Sequence, residues 1–140
     1  MLLSLRRKLK KGLRLLEHSY FFKRNTVYRV DGDDIAIVDV KQNNALTPLD
    51  SWMATIVLLA DGQHTINQLI QHLTSQYSEG APENLIETVE SVITRLTESD
   101  VIELTMRPTL LPYYLRIAMD EQDPKKATQM MIKDGFIAQS

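Results

Sequence analysis

The feature that most constrains the fold is a close pair of helix-boundary signals in LLADGQHTINQLIQHL, residues 58 to 73. Asp61-Gly62 predicts the end of one helix, because glycine readily adopts the left-handed conformation found after a helix C-terminus. Thr65, with Gln68 three residues later, predicts a capping box at the start of the next helix. The chain is therefore expected to make a tight helix-turn-helix corner, and the residues around it must indicate what the corner serves.

Strand signals precede this corner. The runs TVYRV and DIAIVDV are rich in β-branched residues and flank Asp31-Gly32, which predicts a β-hairpin. Ala45-Leu46 predicts a brief third strand. Thr47-Pro48 then predicts the start of a helix, with the threonine as its cap and the proline at its first position.

Three amphipathic helices are expected at about residues 48–60, 65–77 and 82–98, followed by a short strand at Val101–Leu104. The core stripe of the third helix consists of Leu85, Val89, Val92 and Leu96. This order predicts an α+β fold, in which a small antiparallel sheet of about three strands accompanies a winged-helix-like bundle of three helices.

The winged-helix-like domain is expected to cover residues 26–104, between two extensions. Residues 1–25 are predicted to form a basic amphipathic helical extension. Residues 105–140 are predicted to form a C-terminal helical extension, in which PYYLRIAM makes a short helix. A further helix is expected to open at Asp123-Pro124 and to end at Gly135.

Charge is distributed unevenly along the chain. Residues 1–29 contain nine Lys or Arg and one acid, Glu17, whereas residues 30–140 contain seven bases and 17 acids. Leucines recur at helical spacing in the first 16 residues, mostly opposite the bases. Three roles are open for this segment: packing on the rest of the chain, contact with a protein partner, or attachment to an anionic membrane surface. The candidate partner or membrane contacts are Arg6, Arg7, Lys10, Lys11 and Arg14.

Several classes of chemistry are disfavoured. The chain has no cysteine, which excludes disulfides and thiolate sites, and no apolar run approaches the roughly 20 residues of a membrane span. His18, His64 and His72 lie in three different elements without metal-ligand spacing. Neither a Gly-rich phosphate loop nor a G-x-S-x-G turn is present. We therefore expect a cytoplasmic protein that is not an enzyme and has no metal or cofactor.

The charge around the corner also disfavours DNA as its partner. Between Glu79 and Glu103 there are seven acids and one base, Arg95, and the second helix has no Lys or Arg. Phosphates would be repelled from both helices. The alternative of a winged-helix nucleic-acid-binding protein therefore depends on the basic N-terminal segment.

Peptide recognition fits the predicted elements better. A sheet of two or three strands leaves an open edge to which an extended peptide can add a strand. On the third helix an apolar strip edged by a carboxylate is predicted beside the core stripe, and it consists of Ile86, Glu90, Ile93 and Thr97. A groove between strand and helix is one interpretation; the other is that a terminal helix covers Ile86 and Ile93.

The runs ALTPLDSWMATIVLLADGQHTINQLIQHLTSQY and NLIETVESVITRLTESDVIEL resemble the PqqD-like family. This family comprises the small protein of pyrroloquinoline quinone biosynthesis and related peptide-recognition domains of ribosomal peptide maturation. Its first-helix entry, its corner and its second-helix start are matched by Leu46-Thr47, Asp61-Gly62 and Thr65. The chain departs from the family at Ser99-Asp100, where a glycine is usual, and at Thr88, where an aspartate is common.

The resemblance implies a non-catalytic adaptor, or peptide chaperone, that holds the leader of a precursor peptide for a modifying enzyme, often a radical S-adenosylmethionine enzyme. The peptide-binding residues that it implies are a docking strand at Asn44, Ala45 and Leu46 and a helical wall at Ile86, Glu90, Ile93 and Thr97. A membrane-surface adaptor is a further alternative.

Overall fold

The structure, a computed structural model, describes residues 17–138. The fold is α+β, as predicted, and the described residues form two antiparallel three-stranded sheets and five α-helices. The elements are β1 Phe21–Arg24, β2 Val27–Asp31, β3 Asp34–Asp39, β4 Ala45–Pro48, α1 Ser51–Leu59, β5 Asp61–Thr65, α2 Ile66–Ser75, α3 Leu85–Glu98, β6 Ile102–Thr105, α4 Tyr113–Arg116 and α5 Pro124–Lys133. A single 3₁₀ turn, Met119–Glu121, separates α4 from α5.

The predicted helix of the first 16 residues lies outside the described part of the chain, as do its candidate contacts Arg6, Arg7, Lys10, Lys11 and Arg14. Among residues 17–138, no helix combines the length and apolar character needed to cross a membrane.

The predicted hairpin is confirmed and belongs to a sheet with the order β2-β3-β4, here called the open sheet. Val27 pairs with Val38 and Asp31 with Asp34, so the turn falls at the expected Gly32. The third strand is also confirmed, because Ala45 to Pro48 pair with β3.

The first helix begins later than predicted. Thr47 and Pro48 pair with Ile37 and Ala36 in the open sheet, so neither residue caps a helix. The cap is Asp50, whose side chain accepts a hydrogen bond from the Met53 N–H at 2.8 Å. Thr47-Pro48 is a typical helix start, but here the pairing with β3 overrides this local preference.

The other sheet, called the core sheet, has the order β5-β1-β6. Its central strand β1 pairs with both neighbours, since Phe21 lies opposite Thr65 on one side and Thr105 on the other. The sequence analysis placed this strand in the N-terminal extension. The boundary predicted at residue 25 was therefore wrong, and the strand β6 predicted near residues 101–104 pairs with a segment that had been left out of the domain.

The corner between the first two helices contains strand β5 as well as a turn. The capping box is confirmed: Thr65 Oγ1 accepts from the Gln68 N–H at 3.1 Å, and Gln68 Oε1 accepts from the Thr65 N–H at 2.8 Å. Gly62 has the expected positive φ, +81°. A second constraint also requires glycine, because a Cβ there would clash with the Thr109 carbonyl oxygen.

The main core lies between the core sheet and helices α1, α2 and α3. Phe22 of β1 is fully buried at its centre. The predicted stripe of α3 is confirmed, because Leu85, Val89, Val92 and Leu96 are all buried. The remaining buried members are Ile56, Ala60, Ile66, Leu69, Ile70, Leu73, Ile93, Ile102 and Leu104.

The C-terminal segment contains the two helices expected from its sequence. Asp123 caps α5, and Gly135 follows its end with φ +75°. This segment packs onto the open sheet: a buried cluster joins strand residues to α4 and α5, and its members are Val27, Val38, Leu111, Tyr114, Leu115, Ala127 and Met131.

A buried arginine links the two ends of the described chain. Arg24, the last residue of β1, is only 2% exposed, and its guanidinium donates to five backbone carbonyls. These carbonyls lie at the C-terminal ends of α1 and α4, and they belong to Val57, Leu58, Ala60, Leu115 and Arg116.

The guanidinium also stacks over the Tyr28 ring, 4.4 Å from its centroid. Burial lowers the pKa of Arg24, while the nearby Tyr28 and Asp61 raise it. Carbonyl dipoles at helix C-termini replace the water that this cation has lost. We call this set of carbonyls around Arg24 the carbonyl cage.

Candidate peptide-binding groove

The predicted docking strand lies at the exposed edge of the open sheet. Asn44 is in the turn before β4, with φ +59°, and Ala45 and Leu46 are its first two residues. All four residues of β4 are exposed, and Leu46 is 51% exposed. The side of β4 away from β3 has no strand partner among residues 17–138. This edge is therefore available for an added strand.

The predicted helical wall was wrong. Ile93 and Thr97 are buried in the main core or against it, at 0% and 4% exposure, and cannot contact a ligand. The Thr97 hydroxyl donates to the Ile93 carbonyl at 2.7 Å, which satisfies it inside the protein. Glu90 is partly buried and meets His18 Nε2 at 3.1 Å, so of these four residues only Ile86 is exposed.

The accessible depressions lie on a different side of α3. The α3 residues that line the first depression precede the residues of the predicted wall by about two positions, and two residues correspond to a rotation of roughly 200° around a helix. The first has a volume of about 450 Å³ and is lined by the start of α1 and by α3. Its lining residues are Asp50, Ser51, Trp52, Pro82, Asn84, Thr88, Val92 and Arg95.

The second depression has a volume of about 510 Å³ and lies between the open sheet, α1 and the end of α3. It is lined by Thr47 of β4, by Met53 of α1 and by Leu96 and Ser99 at the end of α3. Trp52 and Met53, which are adjacent in the chain, each line one depression. We refer to the two depressions together as the α3 groove.

The α3 groove combines an apolar floor with polar edges. Trp52 and Val92 supply apolar surface in the first depression, and Asp50 and Arg95 supply opposite charges at its edge. In the second, the buried Thr26 hydroxyl has no hydrogen-bond partner among the described residues. Such a surface suits a chain segment with apolar side chains and a polar backbone.

The sequence analysis missed the α3 residues that line the groove, because it looked for exposed apolar residues on this helix. Asn84, Thr88, Arg95 and Ser99 follow one another at helical spacing, and all are polar. Two signals could have indicated them: Arg95 is the one base within an acidic stretch, and Trp52 is the chain's single tryptophan.

The histidines are separate from the α3 groove. His64 Nδ1 lies 2.9 Å from Asp61 Oδ1, and His72 Nε2 lies 3.4 Å from the Gln76 amide. Within residues 17–138, no group of three or more His, Cys, Asp or Glu is placed to hold a metal ion.

Comparisons of the whole chain with protein-family models, with curated proteins and with solved structures find no match.

Proposed function

We propose that this protein is a non-catalytic adaptor that binds an extended peptide along β4 and in the α3 groove. The observation that carries the proposal is the position of β4: it is an exposed edge strand whose residue Thr47 also lines the groove beside α3. An extended segment can add backbone hydrogen bonds at such an edge and place alternate side chains in adjoining pockets.

The resemblance to the PqqD-like family supports a specific ligand and partner. The ligand would be the leader of a precursor peptide, and the partner would be the enzyme that modifies the peptide, with radical S-adenosylmethionine enzymes as the first class to test. The adaptor needs only to hold and present the peptide.

Nucleic acid is a weaker candidate for the same surface. Helix α2 carries no Lys or Arg, and the exposed residues of α3 include Glu87 and Glu98 but only one base, Arg95. A duplex would bring its phosphates close to these carboxylates, at an electrostatic cost.

Trp52 allows a direct test, because it is the single tryptophan and lines the α3 groove. Short precursor peptides encoded beside this protein's gene would be titrated while tryptophan fluorescence and calorimetric heat are followed. We expect saturable binding. An absence of saturation with every such peptide, in both measurements, would contradict the proposal.

The groove is tested with a pair of matched variants. Thr88→Arg fills the first depression, whereas Thr74→Arg makes the same change on the exposed face of α2. We expect Thr88→Arg to weaken binding by about tenfold or more, equivalent to about 1.4 kcal/mol, and Thr74→Arg to leave it unchanged. Equal effects would place the peptide elsewhere.

Strand addition is tested on the peptide itself. Amides of an added strand point alternately toward and away from β4. Peptides N-methylated at odd or at even positions should therefore differ, and only one of the two patterns should abolish binding. Equal binding by both patterns would exclude strand addition at β4.

A further inference from the structure

The start of the described chain runs along α3 toward its N-terminus. The Asn25 N–H donates to the Val101 carbonyl at 2.8 Å, just beyond the end of α3. Seven residues earlier, the His18 ring meets Glu90 near the middle of the same helix at 3.1 Å. The His18 carbonyl is held there by the Asn67 N–H at 2.8 Å. Continued in the same direction, the preceding residues would pass Ile86 and Glu83.

This part of α3 and the loop before it form an exposed acidic surface. From Glu79 to Glu90 the chain contains four acids and no Lys or Arg. Glu83, Ile86 and Glu87 are exposed, Ile86 to 36%. We call Glu79, Glu83, Ile86 and Glu87 the acidic face.

The segment that enters here has the complementary charge. Residues 1–16 contain six Lys or Arg and no acid, together with leucines at helical spacing. From Glu90 to its first residue, Leu85, α3 rises only about 7.5 Å, and a helix entering beside Glu90 covers that distance in about five residues. The charge and the entry direction therefore agree, and the end of the segment nearest the entry is the part that would lie beside Ile86.

We propose that residues 1–16 dock within the same molecule on the acidic face of α3, with bases beside Glu83 and Glu87 and leucines against Ile86. The binding surface for the basic segment is then part of its own chain, and the segment covers the side of α3 that the α3 groove does not use. This inference does not depend on the proposed peptide-binding function.

Engineered cysteines test the docking, because the 140 residues include no cysteine of their own. Leu13→Cys would be combined with Ile86→Cys on the acidic face, or with Asp33→Cys in the exposed β2–β3 turn as a control. Under mild oxidation of dilute protein, we expect the first pair to form an intramolecular disulfide at least about tenfold faster, since docking raises its effective concentration.

Charge reversal then tests whether the carboxylates of the acidic face bring the two cysteines together. In the Leu13→Cys/Ile86→Cys background, Glu83→Lys with Glu87→Lys should reduce the rate to that of the control pair. Asp31→Lys with Asp33→Lys makes the same change in net charge on the hairpin and should leave the rate unchanged. Deleting residues 1–16 should also raise amide exchange at Ile86 to Glu90 and leave exchange in the β2–β3 turn unchanged.

Three results would overturn the proposal. The two cysteine pairs could react at equal rates, or the disulfide could form only between two molecules, which would make a second copy the occupant. Alternatively, the segment could stay unlinked while the intact protein sediments with anionic phosphatidylserine vesicles, which would identify the membrane surface as its partner.

Discussion

The core sheet and the open sheet have the same size and the same antiparallel pairing, but they differ in how their strands are used. The core sheet places its central strand inside the protein, with Phe22 and Arg24 buried. The open sheet ends in β4, whose four residues are all exposed. The comparison shows that one sheet is built around a buried central strand, whereas the other leaves a backbone edge available.

The largest effect is expected at the carbonyl cage of the core sheet. Arg24→Leu would remove the guanidinium from five carbonyls, of which those of Val57 and Ala60 keep a backbone N–H donor, and we expect the free energy of unfolding to fall by about 3 kcal/mol or more. Urea denaturation measures this loss. The neighbouring Lys23, whose partly exposed amine lies 3.7 Å from Glu103, is the control, and Lys23→Leu should cost less than about 1 kcal/mol. Similar losses for both variants would mean that the cage contributes little.

Glycines with positive φ offer a second comparison between the sheets. Gly62 of the core sheet faces the Thr109 carbonyl, whereas a Cβ on Gly32 of the open-sheet hairpin would meet nothing within 4 Å. Both alanine variants should lose about 1–2 kcal/mol through left-handed backbone strain. Gly62→Ala should lose at least about 1 kcal/mol more, because the Thr109 segment must shift. Equal denaturation midpoints would show that this segment moves without cost.

The packing of α4 and α5 on the open sheet should make the free energy of unfolding depend on pH. The Tyr114 hydroxyl donates to Asp134 Oδ2 at 2.9 Å, and burial, followed by this hydrogen bond, raises the pKa of Tyr114 to about 12. The neutral phenol is favoured in the folded state, so its contribution is complete below the unfolded pKa of about 10 and is lost as pH approaches 12.

Tyr114→Phe should therefore cost about 1 kcal/mol at pH 8. Between pH 10 and 12 the stability of the unmodified protein should fall more steeply than that of the variant, as followed by thermal unfolding. Parallel curves across this range would contradict the assignment.

The smallest effect on stability is expected at the open edge. Leu46 is 51% exposed, so Leu46→Asn should change the free energy of unfolding by less than about 0.5 kcal/mol. The same change should weaken peptide binding, whereas Leu110→Asn at another exposed leucine should not. A large loss of stability in Leu46→Asn would mean that β4 belongs to the structural frame.

The sequence predicted the elements that depend on neighbouring residues alone and need no partner from a distant part of the chain. The hairpin at Gly32, the capping box at Thr65 and the apolar stripe of α3 were all recognised from short-range patterns. Strand β5 was missed because Asp61–Thr65 is polar and becomes a strand only through pairing with β1. Strand β1 was missed because its buried Arg24 was counted among the bases of the N-terminal segment.

The geometry of the candidate site was predicted in part for the same reason. An exposed third strand could be anticipated from Asn44, Ala45 and Leu46, since it follows directly from the hairpin. The side of α3 that lines the groove could not be anticipated. Thr97, which was predicted to be accessible, donates its hydroxyl hydrogen bond within the helix and is buried like an apolar residue. The predicted apolar strip therefore included Ile93, which the core occupies.

The carbonyl cage has a consequence for where this chain could be shortened. Arg24 and its acceptor Arg116 are 92 positions apart, so one side chain ties the first described strand to the C-terminal helices. A protein truncated after residue 104 would keep the charge in its interior and lose two of the five carbonyls that solvate it. We therefore expect the smallest autonomous folding unit to include at least the residues up to Arg116.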